Sequence, residues 1–315
     1  MSKLGFGGWG IGGNSTGALS YGNVNENTAL AAIEVALNAG INFFDTSPAY
    51  GGGISESLLG IATQGRREKV VLATKVGMGV LGNEKNFTLE AVERSIENSL
   101  KRLQTNYIDV LQLHDPEPQH NSQIKDILNL IEEYKIHGKI RFGGISLKTP
   151  ADFDYWSGLG NFDYIQVNFS ALDQRVLATE IPKYCMDTGA RVIARTPLCF
   201  GFLSDHFPKR ELLDQYDHRL RWDALQFSCW EKAADSIYSG LSIRSKTELS
   251  IRYCLSFQWV STVIAGIISP REAEENASIA RLGPLSEHDL VLMQENYKEA
   301  VKYLPALSKS NASKN

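Results

Sequence analysis

Apolar positions along the 315-residue chain follow two alternating rhythms. Short runs, nearly all apolar, have the length of strands: Leu4 to Gly7, Ile41 to Asp45, Val70 to Lys75, Tyr107 to His114, Ile140 to Ile145, Tyr164 to Asn168, Arg191 to Arg195 and Thr262 to Gly266. Between them, apolar residues recur every third or fourth position, as on one face of a helix. Such stretches are Thr28 to Ala39, Thr88 to Leu103, Ser122 to His137, Glu180 to Thr188, Lys246 to Ser256, Pro270 to Arg281 and Ser286 to Leu304. A short helix is expected from Ser55, read as its N-cap, to a stop at Gly60. Gly40 and Gly138 sit where helices close.

A strand apolar on both sides is covered on both faces, which favours parallel pairing with helices outside. Eight such strands, most separated by one helical segment, predict a closed (β/α)₈ TIM barrel of the α/β class, with an open doubly wound sheet as the alternative. One domain is expected over residues 1–304 and a flexible polar tail over 305–315. The rhythm breaks once, from Phe200 to Ser245. A long loop after strand seven either lies over the mouth of the barrel or forms a surface excursion with its own small core.

Composition narrows the function classes. With 43% hydrophobic and 22% charged residues the chain has enough apolar surface for a large core. A net charge of -4 and the absence of a basic run give no nucleic-acid surface. No apolar run approaches the roughly eighteen residues of a membrane span, and no leader pattern opens the chain, so a cytoplasmic protein with no membrane partner is expected. Cys185, Cys199, Cys229 and Cys254 form no C-x-x-C pair and are expected as free thiols. His114, Asp115, Glu117 and His120 straddle prolines without a recognised ligand spacing, so no metal is assigned. No H-E-x-x-H or P-loop is present, which leaves zinc-hydrolase and kinase readings unsupported.

The chemistry gathers where strands end. Phe43-Phe44-Asp45-Thr46-Ser47-Pro48-Ala49-Tyr50-Gly51-Gly52 carries an acid out of an apolar run and a phenol five positions later. Lys75 and His114 end the next two strands. In a barrel those strands are neighbours, so all four groups face one opening. A lysine ending an apolar strand needs a carboxylate, and Asp45 is the nearest. An ammonium beside a phenol favours the phenolate, so Tyr50 becomes a usable general acid for an oxygen turning from carbonyl to alkoxide, with His114 hydrogen-bonding that oxygen. The plainer reading is a structural Asp45–Lys75 pair and a His114 that caps a turn.

Asp45-Thr46-Ser47-Pro48-Ala49-Tyr50-Gly51, Ala73-Thr74-Lys75-Val76-Gly77, Leu111-Gln112-Leu113-His114, Gly143-Gly144-Ile145-Ser146, Gln166-Val167-Asn168-Phe169, Ala194-Arg195-Thr196-Pro197-Leu198 and Val263-Ile264-Ala265-Gly266 through Glu275-Asn276 together resemble the aldo-keto reductase family, in order and over nearly the whole chain. The resemblance implies a nicotinamide cofactor, NAD or NADP, extended across the C-terminal face. It implies Tyr50 as proton donor, Lys75 and Asp45 as the groups that tune it, and His114 as the residue that positions the carbonyl. By the same resemblance Ser146 and Gln166 hold the carboxamide, Arg195 stacks on the nicotinamide, Leu198 and Gly201 follow in the loop over the pyrophosphate, and Glu275 and Asn276 meet the adenine.

The chain departs from that pattern in places. Ser146-Leu147 stands where the family has Ser-Asn, and Gly266, Ile267, Ile268 and Glu272 occupy positions that often carry groups for a 2′-phosphate. An anion at Glu272 slightly favours NAD, with Arg271 as the residue able to rescue NADP. The family's N-terminal hairpin is expected to be missing, since the first strand begins almost at Met1. The expected activity is interconversion of an aldehyde or ketone with its alcohol, on a small molecule such as a sugar or sugar derivative. Trp9, His218, Arg219 and Arg221 are expected near the substrate. The alternative is a nicotinamide-binding regulatory subunit with little turnover.

Overall fold

The computed structural model describes residues 1–13, 19–79, 84–207, 209–242 and 245–304. Strands β1 (Leu4–Gly7), β2 (Phe43–Asp45), β3 (Val71–Val76), β4 (Ile108–His114), β5 (Ile140–Ser146), β6 (Tyr164–Asn168), β7 (Arg191–Arg195) and β8 (Val260–Gly266) close on themselves in chain order, every pair parallel. Helices α1 (Glu26–Asn38), α2 (Ile54–Ala62), α3 (Leu89–Arg102), α4 (Asn121–Ile136), α5 (Phe153–Trp156) and α6 (Ile181–Thr188) follow the first six strands. After β7 come α7 (Ala224–Ile237) and α8 (Lys246–Leu255), and after β8 come α9 (Pro270–Ala280) and α10 (Glu287–Ala300). This is the expected (β/α)₈ barrel rather than the open sheet.

Strand parity divides the core in two, because alternate side chains point to opposite faces. Phe6, Phe44, Leu72, Leu111, Ile145, Ile165, Val192 and Val263 belong to the large core between strands and helices. The other parity fills the barrel: Phe43, Ala73, Val110, Tyr164, Ile193 and Ile264 form a separate cluster. The floor below is closed by long side chains. Arg191 donates to the Tyr164 hydroxyl at 2.7 Å and packs against Phe142, and that hydroxyl lies 3.9 Å from the Met1 sulfur. Gly144 makes room in the middle, since a Cβ there would lie 2.8 Å from the Tyr164 carbonyl oxygen and 3.3 Å from the Gln112 side chain. Two residues further along each strand, toward the C-terminal ends, the interior turns polar.

Ser55 differs from its expected role. The N-cap position of α2 is Gly53, and Ser55 lies inside the helix, fully buried. Its hydroxyl donates to the Gly8 carbonyl and accepts from Thr46, both at 2.8 Å, so it ties the end of β1 to the end of β2. The segment from Phe200 to Ser245 lies at the barrel mouth and is not a separate excursion. Phe202, Phe207, Trp222, Phe227 and Trp230 pack ring on ring and are continuous with the large core, while Phe200, Gly201, Ser204, His206, Phe207 and Arg219 line the cleft. The expected tail at 305–315 lies outside the described residues.

Candidate active site

The registers of β2, β3 and β4 bring three polar ends together: Asp45 pairs with Ala73, and Lys75 pairs with Gln112. Lys75 is fully buried and its ammonium has three acceptors, Asp45 Oδ2 at 2.6 Å, the Thr46 carbonyl at 2.9 Å and the Tyr50 hydroxyl at 3.1 Å. Burial alone works against the charged lysine, but the Asp45 carboxylate and the Tyr50 oxygen outweigh it and leave its pKa raised. The other carboxylate oxygen of Asp45 accepts from Gln112 at 3.0 Å and from Gln166 at 2.7 Å. Every polar atom of this buried pair is therefore hydrogen-bonded, the condition under which a buried ion pair is tolerated.

Tyr50 is held by backbone. Gly51, Gly52 and Gly53 all have positive φ, at 63°, 65° and 94°, and the turn packs directly on the glycine-rich opening of the chain. A Cβ on Gly51 would sit inside the radius of the Gly12 carbonyl oxygen, and one on Gly12 would lie 2.7 Å from the Tyr50 carbonyl carbon. Only glycine fits both sides of that contact. Behind Lys75, the fully buried Glu56 accepts from Thr74 at 2.6 Å and from Arg102 at 2.7 Å, which fixes β3 against α2 and α3.

His114 stands edge-on to Tyr50, with ring centroids 6.2 Å apart at 87°. Its Nδ1 lies 3.2 Å from the Ser47 hydroxyl, whose oxygen accepts from the Ala49 amide. Burial first, then the charges of Lys75, Arg195 and Lys85, hold the imidazole well below its usual pKa. It is neutral at pH 7. If Nδ1 takes the Ser47 proton, the ring proton is on Nε2 and free to be donated.

A cleft of about 560 Å³ runs from these groups across the mouth. Asp45, Tyr50, Gln166, Arg195, Leu198, Gly201, Gly266, Glu272, Glu275 and Asn276 all line it, as does Trp9. Gly266 leaves open space where a side chain would stand, and Arg195 Nε is buried without a partner among the described residues while Nη2 donates to the Leu147 carbonyl at 2.9 Å. Glycines, a planar cation and a Glu-Asn pair within one lining are groups that suit a nicotinamide dinucleotide. Ser146 is set back from the cleft, its hydroxyl donating to Gln166 Oε1 at 3.2 Å. Glu272 lines the cleft but is also the third residue of α9, where Oε2 accepts from the Ile268 and Ser269 amides at 2.7 and 3.2 Å.

One of the expected substrate residues lies away from the cleft. Arg221 is exposed and is not among the residues lining the cleft, because the 3₁₀ turn His218–Arg221 carries it to the outer side. Arg219 lines the cleft, yet its guanidinium is tied to Asp217 at 2.6 and 2.9 Å and to the Phe200 carbonyl at 2.8 Å, so it braces the loop. Sequence reasoning missed Gln112 and Ser47. Gln112 was findable by parity, since it precedes His114 by two in an otherwise apolar strand; Ser47 carried no such signal.

The Aldo/keto reductase family model matches residues 3–298. L-galactose dehydrogenase of Arabidopsis thaliana is 32% identical over 307 residues, covering 94% of this chain and 91% of its own length. The NADH-specific methylglyoxal reductase of Escherichia coli is 27% identical, covering 94% of each. Among solved structures, the holo form of aldo-keto reductase AKR11C1 from Bacillus halodurans superposes with a TM-score of 0.76 at 28% identity, covering 93% of this chain and 91% of that one.

Proposed function

The chain belongs to the aldo-keto reductase family, and on that premise we propose that Tyr50 is the general acid/base of a reaction interconverting a sugar-like aldehyde or ketone with its alcohol. At the coarser level it is an NAD(P)-dependent oxidoreductase acting on carbonyl and alcohol substrates. The observation that carries the role of Tyr50 is the 3.1 Å hydrogen bond from the buried Lys75 ammonium.

A dihydronicotinamide held by these residues would supply hydride to the carbonyl carbon. As the carbonyl oxygen gains charge, Tyr50 passes its proton to it, and the negative charge left on the phenol oxygen is met by Lys75. Asp45 balances that cation, so the pair changes little when the proton moves. Neutral His114, with its ring proton on Nε2, donates to the same substrate oxygen and fixes its position. Oxidation runs these steps backward, with the Tyr50 oxygen accepting the proton of the alcohol.

Arg195, Leu198, Gly201, Gly266, Glu275 and Asn276 hold the cofactor in this reading, with Gln166 beside the nicotinamide and Ser146 bracing Gln166 from behind. NAD is preferred over NADP, since the anion Glu272 lines the cleft and Gly266 and Ile268 offer no cation. The sugar class is supported by the L-galactose dehydrogenase relative. A cytoplasmic setting belongs to the same reading, supported by Cys185, Cys199, Cys229 and Cys254 all being unpaired.

The test is turnover by purified protein with either cofactor on aldoses, short aldehydes and aromatic aldehydes. Tyr50→Phe is expected to abolish turnover while cofactor still quenches protein fluorescence. Absence of turnover on every substrate would favour a binding-only regulatory subunit, and clearly tighter NADPH than NADH binding would end the NAD preference.

A further inference from the structure

His218 belongs to the loop after β7 and is only 9% exposed. Four rings surround its imidazole: Trp9 at 4.8 Å, Tyr21 at 5.0 Å, and Phe200 and Trp222 each at 5.7 Å between centroids. Trp9, Tyr21 and Phe200 line the same cleft as Asp45 and Tyr50, and so does the next residue, Arg219, while His218 packs against those rings outside the lining itself.

The protonation of the ring follows from its neighbours. Nδ1 faces two acceptors, the Ser20 carbonyl at 3.2 Å and Asp217 Oδ1 at 3.6 Å, so it carries the hydrogen. Burial, the largest influence, holds the imidazole below its usual pKa despite the Asp217 carboxylate. The ring is then neutral and Nε2 is a bare lone pair, buried and without a partner among the described residues. A buried acceptor left unmatched is costly unless something supplies a donor. The N–H and O–H groups of Trp9, Tyr21 and Trp222 make no bond to it, whereas a hydroxyl on a molecule in the cleft that reached between those rings would.

We propose that His218 is a specificity-determining residue for hydroxylated carbonyl substrates, Nε2 accepting a hydrogen bond from a substrate hydroxyl among Trp9, Tyr21 and Phe200. The inference rests on the oxidoreductase reading above and names the substrate feature that this site selects. A substrate lacking that hydroxyl leaves the lone pair unmatched and is discriminated against.

The experiment compares kcat/KM for glyceraldehyde and propanal, which differ by two hydroxyls, at saturating cofactor. His218→Asn keeps an amide N–H for the Ser20 carbonyl and has no atom at the Nε2 position. It is expected to lower the glyceraldehyde-to-propanal ratio by about ten- to a hundredfold, the loss of one hydrogen bond from a buried group. His218→Gln, which carries an amide out to that position, is expected to restore part of the ratio. An unchanged ratio in His218→Asn overturns the proposal. If the wild type turns over neither aldehyde, the oxidoreductase reading fails separately. Binding of glycerol to the cofactor-loaded protein, followed by tryptophan fluorescence, then decides: binding lost in His218→Asn upholds the role of His218, and no difference between the two proteins overturns it.

Discussion

Lys75→Met removes the cation on which the chemistry depends and leaves the Asp45 carboxylate buried at 2% exposure. Deleting one partner of a buried ion pair costs about 3–5 kcal/mol, mostly the penalty of the charge left behind. Asp45 still accepts from Gln112 and Gln166 at 3.0 and 2.7 Å, which puts the expected loss at the lower end, about 3 kcal/mol. That is a large fraction of a typical stability of about 5–15 kcal/mol. Adding Asp45→Asn removes the stranded charge, so the double variant is expected to recover most of the loss. Denaturant unfolding of the wild type, both single variants and the double variant gives the coupling directly. The same variants, assayed at saturating cofactor, are expected to lose kcat by about a hundredfold or more, the usual contribution of a positioned acid–base group. The pH dependence has a definite sign. Lys75 holds its proton more tightly folded than unfolded, so its stabilisation is complete below the ordinary lysine value of 10.5 and is lost as pH rises through the higher folded value. Lys75→Met should lack that alkaline limb. Lys75→Met within about 1 kcal/mol of wild type, or keeping kcat within about tenfold, would refute this double role of the ion pair in stability and catalysis.

His114 gives the opposite limb. Its folded pKa is depressed while the unfolded chain takes up a proton near 6.5, so stability falls as pH drops below that value, and His114→Gln should flatten this acid dependence in denaturation curves taken between about pH 4 and 7. Gly51→Ala would place a methyl against the Gly12 carbonyl oxygen at a φ of 63°; a loss of about 2 kcal/mol or more in unfolding free energy is expected, together with reduced kcat because Tyr50 is displaced. Glu272→Ala removes the side chain that caps the Ile268 and Ser269 amides; about 1 kcal/mol of stability should go, and fluorescence titration should show NADPH gaining on NADH as the anion leaves the cleft.

The barrel was legible because its signal is local. Each strand is a short apolar run, and each helix repeats on a period of 3.6. Element ends moved by a residue or two, save that α10 stops four residues early and passes into the 3₁₀ turn Val301–Tyr303, and α7 was hidden within the break after β7, where aromatic residues mask the helical period. Asp45, Tyr50, Lys75 and His114 were equally legible, since a charged or polar residue ending an apolar run stands out. The roles of Ser55, Arg219 and Arg221 were not. A serine near a helix start reads as a cap by propensity, and in this chain the backbone of Gly53 takes that place. An arginine in a long loop gives no sign of whether Asp217, two positions earlier, will hold it.

The order of elements, the parity that buries one half of each strand inside the barrel, and the acid, phenol, amine and imidazole at the strand ends were set by the chain itself, because they depend on neighbours a few residues away. Closure decided the rest. Only when β1 lies beside β2 does the Gly12 backbone touch Gly51 and aim Tyr50, and only when the barrel closes and the loop after β7 folds back does His218 reach Trp9 across more than two hundred positions of sequence. Contacts of that range depend on how the whole barrel packs, and no local pattern of apolar and polar residues encodes them.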